Sequence, residues 1–314
     1  YFTLPADQNN SDAQNSLGMI FCEGKYVNRN MNKAIHYWTL SANQGNEDAQ
    51  NNLGYLYMDN DYIKHDFNKG IYYWTLSAKQ NNRIAQNNLG YSLIVEKYSI
   101  QNIEKGLYYL KLSADQNFDQ AQFNLGAIYY EGKYVKQDIN KAIYYLSLAA
   151  NQGLNWAQYH LGNVFSIQKD FNKAIYYLKL AANQQNSYAQ YNLGNIYFNG
   201  KFVKQNIKSS LFYFDCSSKL NNRLSQLFLA DLYLEGKYVK FDIQKSIQLY
   251  KESSVLIETH AKNNLGVIYK NGIDYIEKNR ALAKEYFKES IKDTQNSLSM
   301  YNLANILLDE NESN

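Results

Sequence analysis

The chain has 314 residues, 45% of them hydrophobic, and a formal net charge of +3 from 32 Lys and Arg against 29 Asp and Glu. That charge is small and interspersed, so no basic stripe presents itself to nucleic acid, and no run approaches the roughly eighteen apolar residues that a membrane span needs. The two cysteines, Cys22 and Cys216, are too few and too far apart for a disulfide framework and read as free thiols of a reducing compartment.

In chain order, the opening YFTLPADQ (Tyr1 to Gln8) aligns with YYLKLSADQ at Tyr108 to Gln116, which is the back half of a longer unit. Leu-Gly then recurs at Gly18, Gly54, Gly90, Gly126, Gly162, Gly194 and Gly266, with Ala230 and Ala304 as Leu-Ala copies. The spacing is 36 residues with one step of 32 and a last step of 38. A period of that size predicts a stacked repeat array in which no unit buries its apolar face alone.

Each unit predicts two antiparallel helices. In AQFNLGAIYY, Ala121, Leu125, Ile128 and Tyr129 share one helical face. Gly126 lacks a side chain and lets a second helix approach. First helices are therefore expected near Ala13–Phe21, Ala49–Tyr57 and their copies, stopped by Gly24, Gly132, Gly200, Gly236 and Gly272, with Asn60 standing in once. Second helices are expected near Asn32–Asn43 and its copies, capped by Asn30, Asp66, Asn102, Asp138, Asp170, Asn206 and Asp242. Their inward stripe is Ala142, Tyr145, Leu146 and Ala149 in one copy. Gly45, Asn81, Asn117, Gly153 and Asn221 tolerate the positive φ of their stops, and Asn10, Asn46, Asn82, Asn186 and Asn222 cap the next first helix. The unit after Gly162 has lost four loop residues, and Ile257 stands where a Gly or Asn stop belongs. SMYNLANILL near the end is a first helix with no second helix after it. The expected organisation is one solenoid over 1–314, eight full helix pairs with a half repeat at each end, read as a fragment of a longer protein.

The string A-Q-x-x-L-G-x-x-Y-x-x-G-K-Y-V-x-x-D-x-x-K-A-I-x-Y, followed by S/A-A-x-Q-G/N, resembles the Sel-one-like repeat family, a longer cousin of the tetratricopeptide repeat. Gln14, Gln50 and Gln122 stand where the tetratricopeptide unit has Trp. The resemblance implies an all-α, right-handed α-solenoid, a tetratricopeptide-like superhelix. It also implies a scaffold or adaptor that binds other proteins or peptide segments, with no enzyme activity, no cofactor and no small-molecule substrate. Two narrower roles are compatible with it: the client-selecting accessory subunit of an endoplasmic-reticulum ubiquitin ligase (ERAD), or the regulatory arm of a protein kinase or chitin synthase activator. Localisation is expected to be cytoplasmic, or in the endoplasmic reticulum lumen or membrane if the full-length chain carries a signal peptide.

The residues themselves offer no catalytic constellation. His36, His65, His160 and His260 fall at different repeat positions without a Cys, Asp or second His at ligand spacing, and no phosphate loop or nucleophile elbow is present. The acidic Asp309, Glu310 and Glu312 read as a solvated end. By analogy with tetratricopeptide arrays, partners meet the concave face at the third residue before each Leu-Gly glycine and the first after it. The resulting site is Asn51, Tyr55, Asn87, Tyr91, Phe123, Tyr159, Asn163, Tyr191 and Asn195, amides for an extended backbone and rings for contact area. AT-rich coding supplies the same residue types, so a merely compositional origin stays open. Asn52, Asn88, Asn124, Asn192, Asn264 and Asn302, just before each Leu-Gly or Leu-Ala, are expected to hold the neighbouring loop and are left out of the site.

Overall fold

The computed structural model describes residues 6–58, 64–95, 101–201, 203–253, 259–294 and 296–311. Through the first half run α1 (Ser11–Glu23), α2 (Met31–Asn43), α3 (Glu47–Met58), α4 (Phe67–Lys79), α5 (Arg83–Ile94), α6 (Ile103–Asp115), α7 (Asp119–Glu131) and α8 (Ile139–Asn151). There follow α9 (Asn155–Ile167), α10 (Phe171–Asn183), α11 (Ser187–Asn199), α12 (Ile207–Lys219), α13 (Arg223–Glu235), α14 (Ile243–Ser253), α15 (Thr259–Asn271), α16 (Arg280–Thr294) and α17 (Ser297–Asn311). Odd-numbered helices are first helices and even-numbered ones are second helices; from α1 to α8 and from α10 to α17 each packs on its neighbours in sequence. The described residues form no strand, only an isolated bridge between Ile273 and Ile276, and none of their helices is long and apolar enough to cross a membrane. The predicted all-α solenoid, with its helices in register with Leu-Gly, is what forms.

Helix ends lie where side-chain chemistry puts them. The seven predicted second-helix caps each accept a hydrogen bond from the backbone N–H three residues on, at 2.9 to 3.2 Å. Asn10, Asn46, Asn82, Asn186 and Asn222 do the same for first helices at 2.9 to 3.1 Å. Each satisfies a donor that the helix cannot. Gly132 ends α7 at φ 67°, and its N–H donates to Ile128 O. Gln185, at φ 61°, makes the second-helix stop that Gly or Asn makes elsewhere. Asn60 and Ile257 lie outside the described residues.

By Cα packing the chain divides into two compact units, Tyr1–Leu161 and Gly162–Asn314, the boundary falling inside α9. In the first unit the Leu-Gly glycine is the contact point of every helix pair. A Cβ on Gly126 would lie 2.6 Å from Leu146 Cγ, and one on Gly54 would lie 2.3 Å from Trp74 Cδ1. The fit is reciprocal: a Cβ on Gly70 of α4 would meet Met58 Cγ at 2.4 Å, and one on Gly106 of α6 would meet Ile94 Cγ1 at 2.5 Å. Small opposes large on both helices, so the backbones approach closely and Leu53, Leu89, Leu110, Leu125 and Leu146 are buried. Beside this lock a ring from each helix stacks, as in Tyr57 on Tyr73 (6.0 Å, 5°) and Tyr129 on Tyr145 (6.1 Å, 7°). Lys69 and Lys141 cover the first-helix rings at 5.3 and 5.0 Å.

Repeats are joined to one another by buried amides. Gln14, Gln50, Gln86 and Gln122 donate Nε2 to Ala6, Ala42, Ala78 and Ala114 O at 3.1 to 3.2 Å. Their Oε1 atoms accept from Gln44, Gln80, Gln116 and Gln152 at 2.6 to 2.8 Å, each from the following second helix. Ser41, Ser77 and Ser113 reach back to carbonyls of the preceding first helix at 2.7 Å. Both polar ends of each Gln are satisfied, which is the condition for burying it.

The second unit repeats the lock with phenylalanine rings: Phe214 covers Gly194 and Phe287 covers Gly266, with would-be contacts of 2.7 and 2.5 Å. Ala230 replaces the glycine opposite Tyr250, and Ser246 Oγ donates to Ala230 O at 2.9 Å. The loop between α9 and α10 is four residues short, yet Asp170 N still donates to Phe165 O at 2.9 Å, as Asp138 N donates to Tyr129 O at 3.0 Å in the first unit. Gln190 donates to Ala182 O, but the residue that should answer its Oε1 is Leu220, and that oxygen is buried without a partner. The acidic end is solvated and also carries surface ion pairs. Glu310 pairs with Lys284 at 2.8 Å and Asp309 with Arg280 at 3.9 Å, because α17 packs on α16; Glu312 lies outside the described residues.

Two stability changes follow. Gly126→Leu overpacks the contact with Leu146 and is expected to cost about 1–3 kcal/mol in chemical denaturation; unchanged stability would remove the lock from the account of the fold. Leu220→Gln supplies the donor that Gln190 Oε1 lacks, and a gain of about 1 kcal/mol is expected by the same measurement.

Candidate partner-binding face

Consecutive first helices lie side by side within each unit and are bridged by asparagines. Asn52 donates to Asn15 at 3.2 Å, Asn88 to Asn51 at 3.4 Å and Asn124 to Asn87 at 2.8 Å. The second unit has Asn192 to Asn163 at 2.8 Å, Asn264 to Asp231 at 3.2 Å and Asn302 to Asn263 at 3.3 Å. The asparagines before Leu-Gly or Leu-Ala are structural, but they hold the preceding first helix rather than a loop.

This bridge changes the standing of the expected site. Asn51, Asn87 and Asn163 already accept hydrogen bonds from within the chain. Asn87 is only 6% exposed and is part of the packing between α5 and α7, its own amide donating to Asn88. Asn51, Asn163 and Asn195 are half-buried. The aromatic positions fare differently: Tyr55 and Tyr91 are 54% and 43% exposed, while Phe123, Tyr159 and Tyr191 are half-buried. Tyr191 leans on Phe214 at 5.8 Å and belongs to the packing of the second unit.

Tyr91 and Phe123 come together in the first unit, on a cleft of about 220 Å³ lined also by Val95, Asn124, Ala127, Ile128, Glu131, Tyr134 and His160. The His160 ring stands edge-on to Phe123 at 5.3 Å, Tyr159 at 5.4 Å and Tyr130 at 6.3 Å. Burial among these rings lowers the His160 pKa from its ordinary value, and its buried Nδ1 has no hydrogen-bond partner among the described residues.

The second unit carries a cleft of about 330 Å³ at the same register, lined by Asp231, Leu234, Glu235, Tyr250, His260, Asn264, Val267, Ile268 and Ile273. Asp231 holds the repeat position of Tyr91, Asn264 that of Asn124 and Ile268 that of Ile128. The Tyr250 hydroxyl and the Asn264 amide both donate to Asp231. Burial, then the Asp231 carboxylate, raises the Tyr250 pKa far above the usual phenol range, so the ring stays a neutral donor. Among the described residues no three of His, Cys, Asp and Glu converge as a metal site, and both cysteines are free.

Sequence reasoning missed Glu131, Tyr134 and His160, because they come from a loop and from two different repeats. It also missed a second aromatic row. Tyr72, Tyr108 and Tyr144 of the second helices are 57 to 60% exposed, each edge-on to the next residue. The doubled Tyr of KAIYYL was the available signal, one ring inward and one outward.

Known proteins agree with this architecture. Comparison with curated proteins returned no match. Solved structures that resemble the chain include the following two. One is c5321, a protective antigen of uropathogenic Escherichia coli displaying an SLR fold: 23% identity, 98% of this chain, 67% of the other, TM-score 0.78. The other is a Sel1 repeat protein from Oxalobacter formigenes: 23% identity, 97% of this chain, 90% of the other, TM-score 0.79. At that identity they show a shared fold. The Sel1 repeat model matches at residues 11–46, 47–82, 83–118, 119–154, 155–186, 187–222, 223–254 and 259–293, and the chain therefore belongs to the Sel1 repeat family.

Proposed function

We propose that this chain is a non-catalytic scaffold or adaptor of the cytoplasm that captures an extended segment of another protein on its first-helix face. The observation that carries the reading is the contrast along that face. Asn51, Asn87 and Asn163 are engaged in bridging repeats, while Tyr55 and Tyr91 remain exposed and Tyr91 borders a cleft. Exposed tyrosines at repeat spacing offer rigid amphipathic contact area at low entropic cost. A face that served only solubility would carry Lys and Glu there. Membership of a repeat family whose fold is a stack of helix pairs supports the same reading, since such stacks present long continuous surfaces. The narrower roles, a ligase client-selecting subunit or an arm of a kinase or chitin synthase activator, need signatures of their own and are not part of this proposal.

A photo-crosslinking residue placed at Tyr55 or Tyr91 is expected to join partner peptides, and one at Tyr72 or Tyr108 is not. Tyr55→Ala with Tyr91→Ala is expected to keep the helical circular dichroism and to weaken capture, each anchor counting for about 1–2 kcal/mol. Crosslinks confined to Tyr72 and Tyr108 would move the site to the second helices and overturn the reading.

A further inference from the structure

The cleft of the first unit has a chemistry more specific than a place on a binding face. Its walls are the rings of Tyr91, Phe123 and Tyr134, with His160 packed among rings behind them. Its floor is aliphatic, with Ile128 buried. Glu131 is the only lining residue with a formal charge, and it is exposed and makes no ion pair among the described residues. Aromatic faces are the negative ends of the ring quadrupole, and a cation held over them gains most where water is excluded. The Tyr134 ring is already covered by Lys133, whose Nζ sits 4.8 Å from its centre, so a further cation is placed at Tyr91 and Phe123 rather than at Tyr134. His160, its pKa lowered by burial, adds no positive charge near neutral pH.

The second unit has an acidic cleft of different build, in which Asp231 is already bonded to Tyr250 and Asn264. At the same register its cleft is lined by Asp231 and Glu235 and by no Lys or Arg.

We infer that the first-unit cleft takes a long basic side chain, Lys or Arg, from the bound partner segment. The methylene stem lies on Ile128 and Ala127, and the charged head lies between the rings of Tyr91 and Phe123 and against Glu131. Long basic side chains divide naturally in this way, with stem on apolar surface and head on charge. This inference rests on the proposed function and names the residue that such a partner must offer.

The test uses the whole chain and two isosteric probes, N-ethylguanidinium and neutral N-ethylurea, followed by NMR of the His160 ring and assigned with His160→Gln. N-ethylguanidinium is expected to shift the His160 signal saturably, at a midpoint at least tenfold below that of N-ethylurea. Glu131→Gln, an exposed change that leaves the packing alone, is expected to raise the midpoint several-fold. Phe123→Leu, which keeps the apolar volume, is expected to raise it likewise, and Glu235→Gln in the other unit is expected to leave it unchanged. Equal response to the two probes, or indifference to Glu131→Gln, would make the cleft a neutral apolar pocket and overturn the inference. If a segment crosslinks at Tyr91 but the guanidinium shows no preference, the binding face stands and this assignment falls. If the guanidinium binds as described and nothing crosslinks at Tyr55 or Tyr91, the cation site stands and the peptide-binding reading falls.

Discussion

The contact between a missing side chain and a large one governs this molecule. Where Gly126 faces Leu146, or Gly54 faces Trp74, no Cβ fits. The two backbones come close enough that the ring or leucine of one helix fills the gap left by the other. Gly70 and Gly106 show the converse, with Met58 and Ile94 filling gaps in the second helix. Such a contact is short-ranged and tolerates little change in volume. It fixes the spacing of each helix pair, and hence the height at which the next pair must stack.

Once that spacing is set, the polar layer follows. Gln50 lies too deep to reach water, so its amide must find partners inside the protein, and Ala42 O and Gln80 Nε2 supply them. The same need explains Ser77 on Glu47 O and Asn124 on Asn87. The bonds of Gln50 to Ala42 O and of Asn124 to Asn87 cross repeat boundaries, so they tie neighbours in a fixed register where apolar contacts alone would allow sliding. Gln190 shows what a substitution leaves behind: with Leu220 opposite, one buried oxygen has no donor.

Function is what remains after packing has taken its share. Asparagine at repeat spacing looked available for a peptide backbone, yet the stacking of first helices consumes it. Of the aromatic residues at the same spacing, Tyr55 and Tyr91 stay accessible, while Phe123, Tyr159 and Tyr191 are partly taken up by packing. The clefts differ between the units because one repeat position holds Tyr91 in the first and Asp231 in the second. A single scaffold can thus present different side-chain pockets at a constant register.

The sequence by itself determined the repeat, the helix pairs, their caps and stops, and the close-packing role of the Leu-Gly glycine. All of these rest on interactions within one unit, and a 36-residue period displays them copy after copy. It also located Tyr55 and Tyr91 on an exposed face. It could not show that Asn87 is buried, that Asp309 and Glu310 are paired, or that Glu131, Tyr134 and His160 share a cleft with Tyr91. Those facts depend on which residues of successive repeats face one another, about 37 positions apart as for Asn87 and Asn124. Periodicity within a unit carries no information about that offset; only the stacking distance set by the glycine lock decides it.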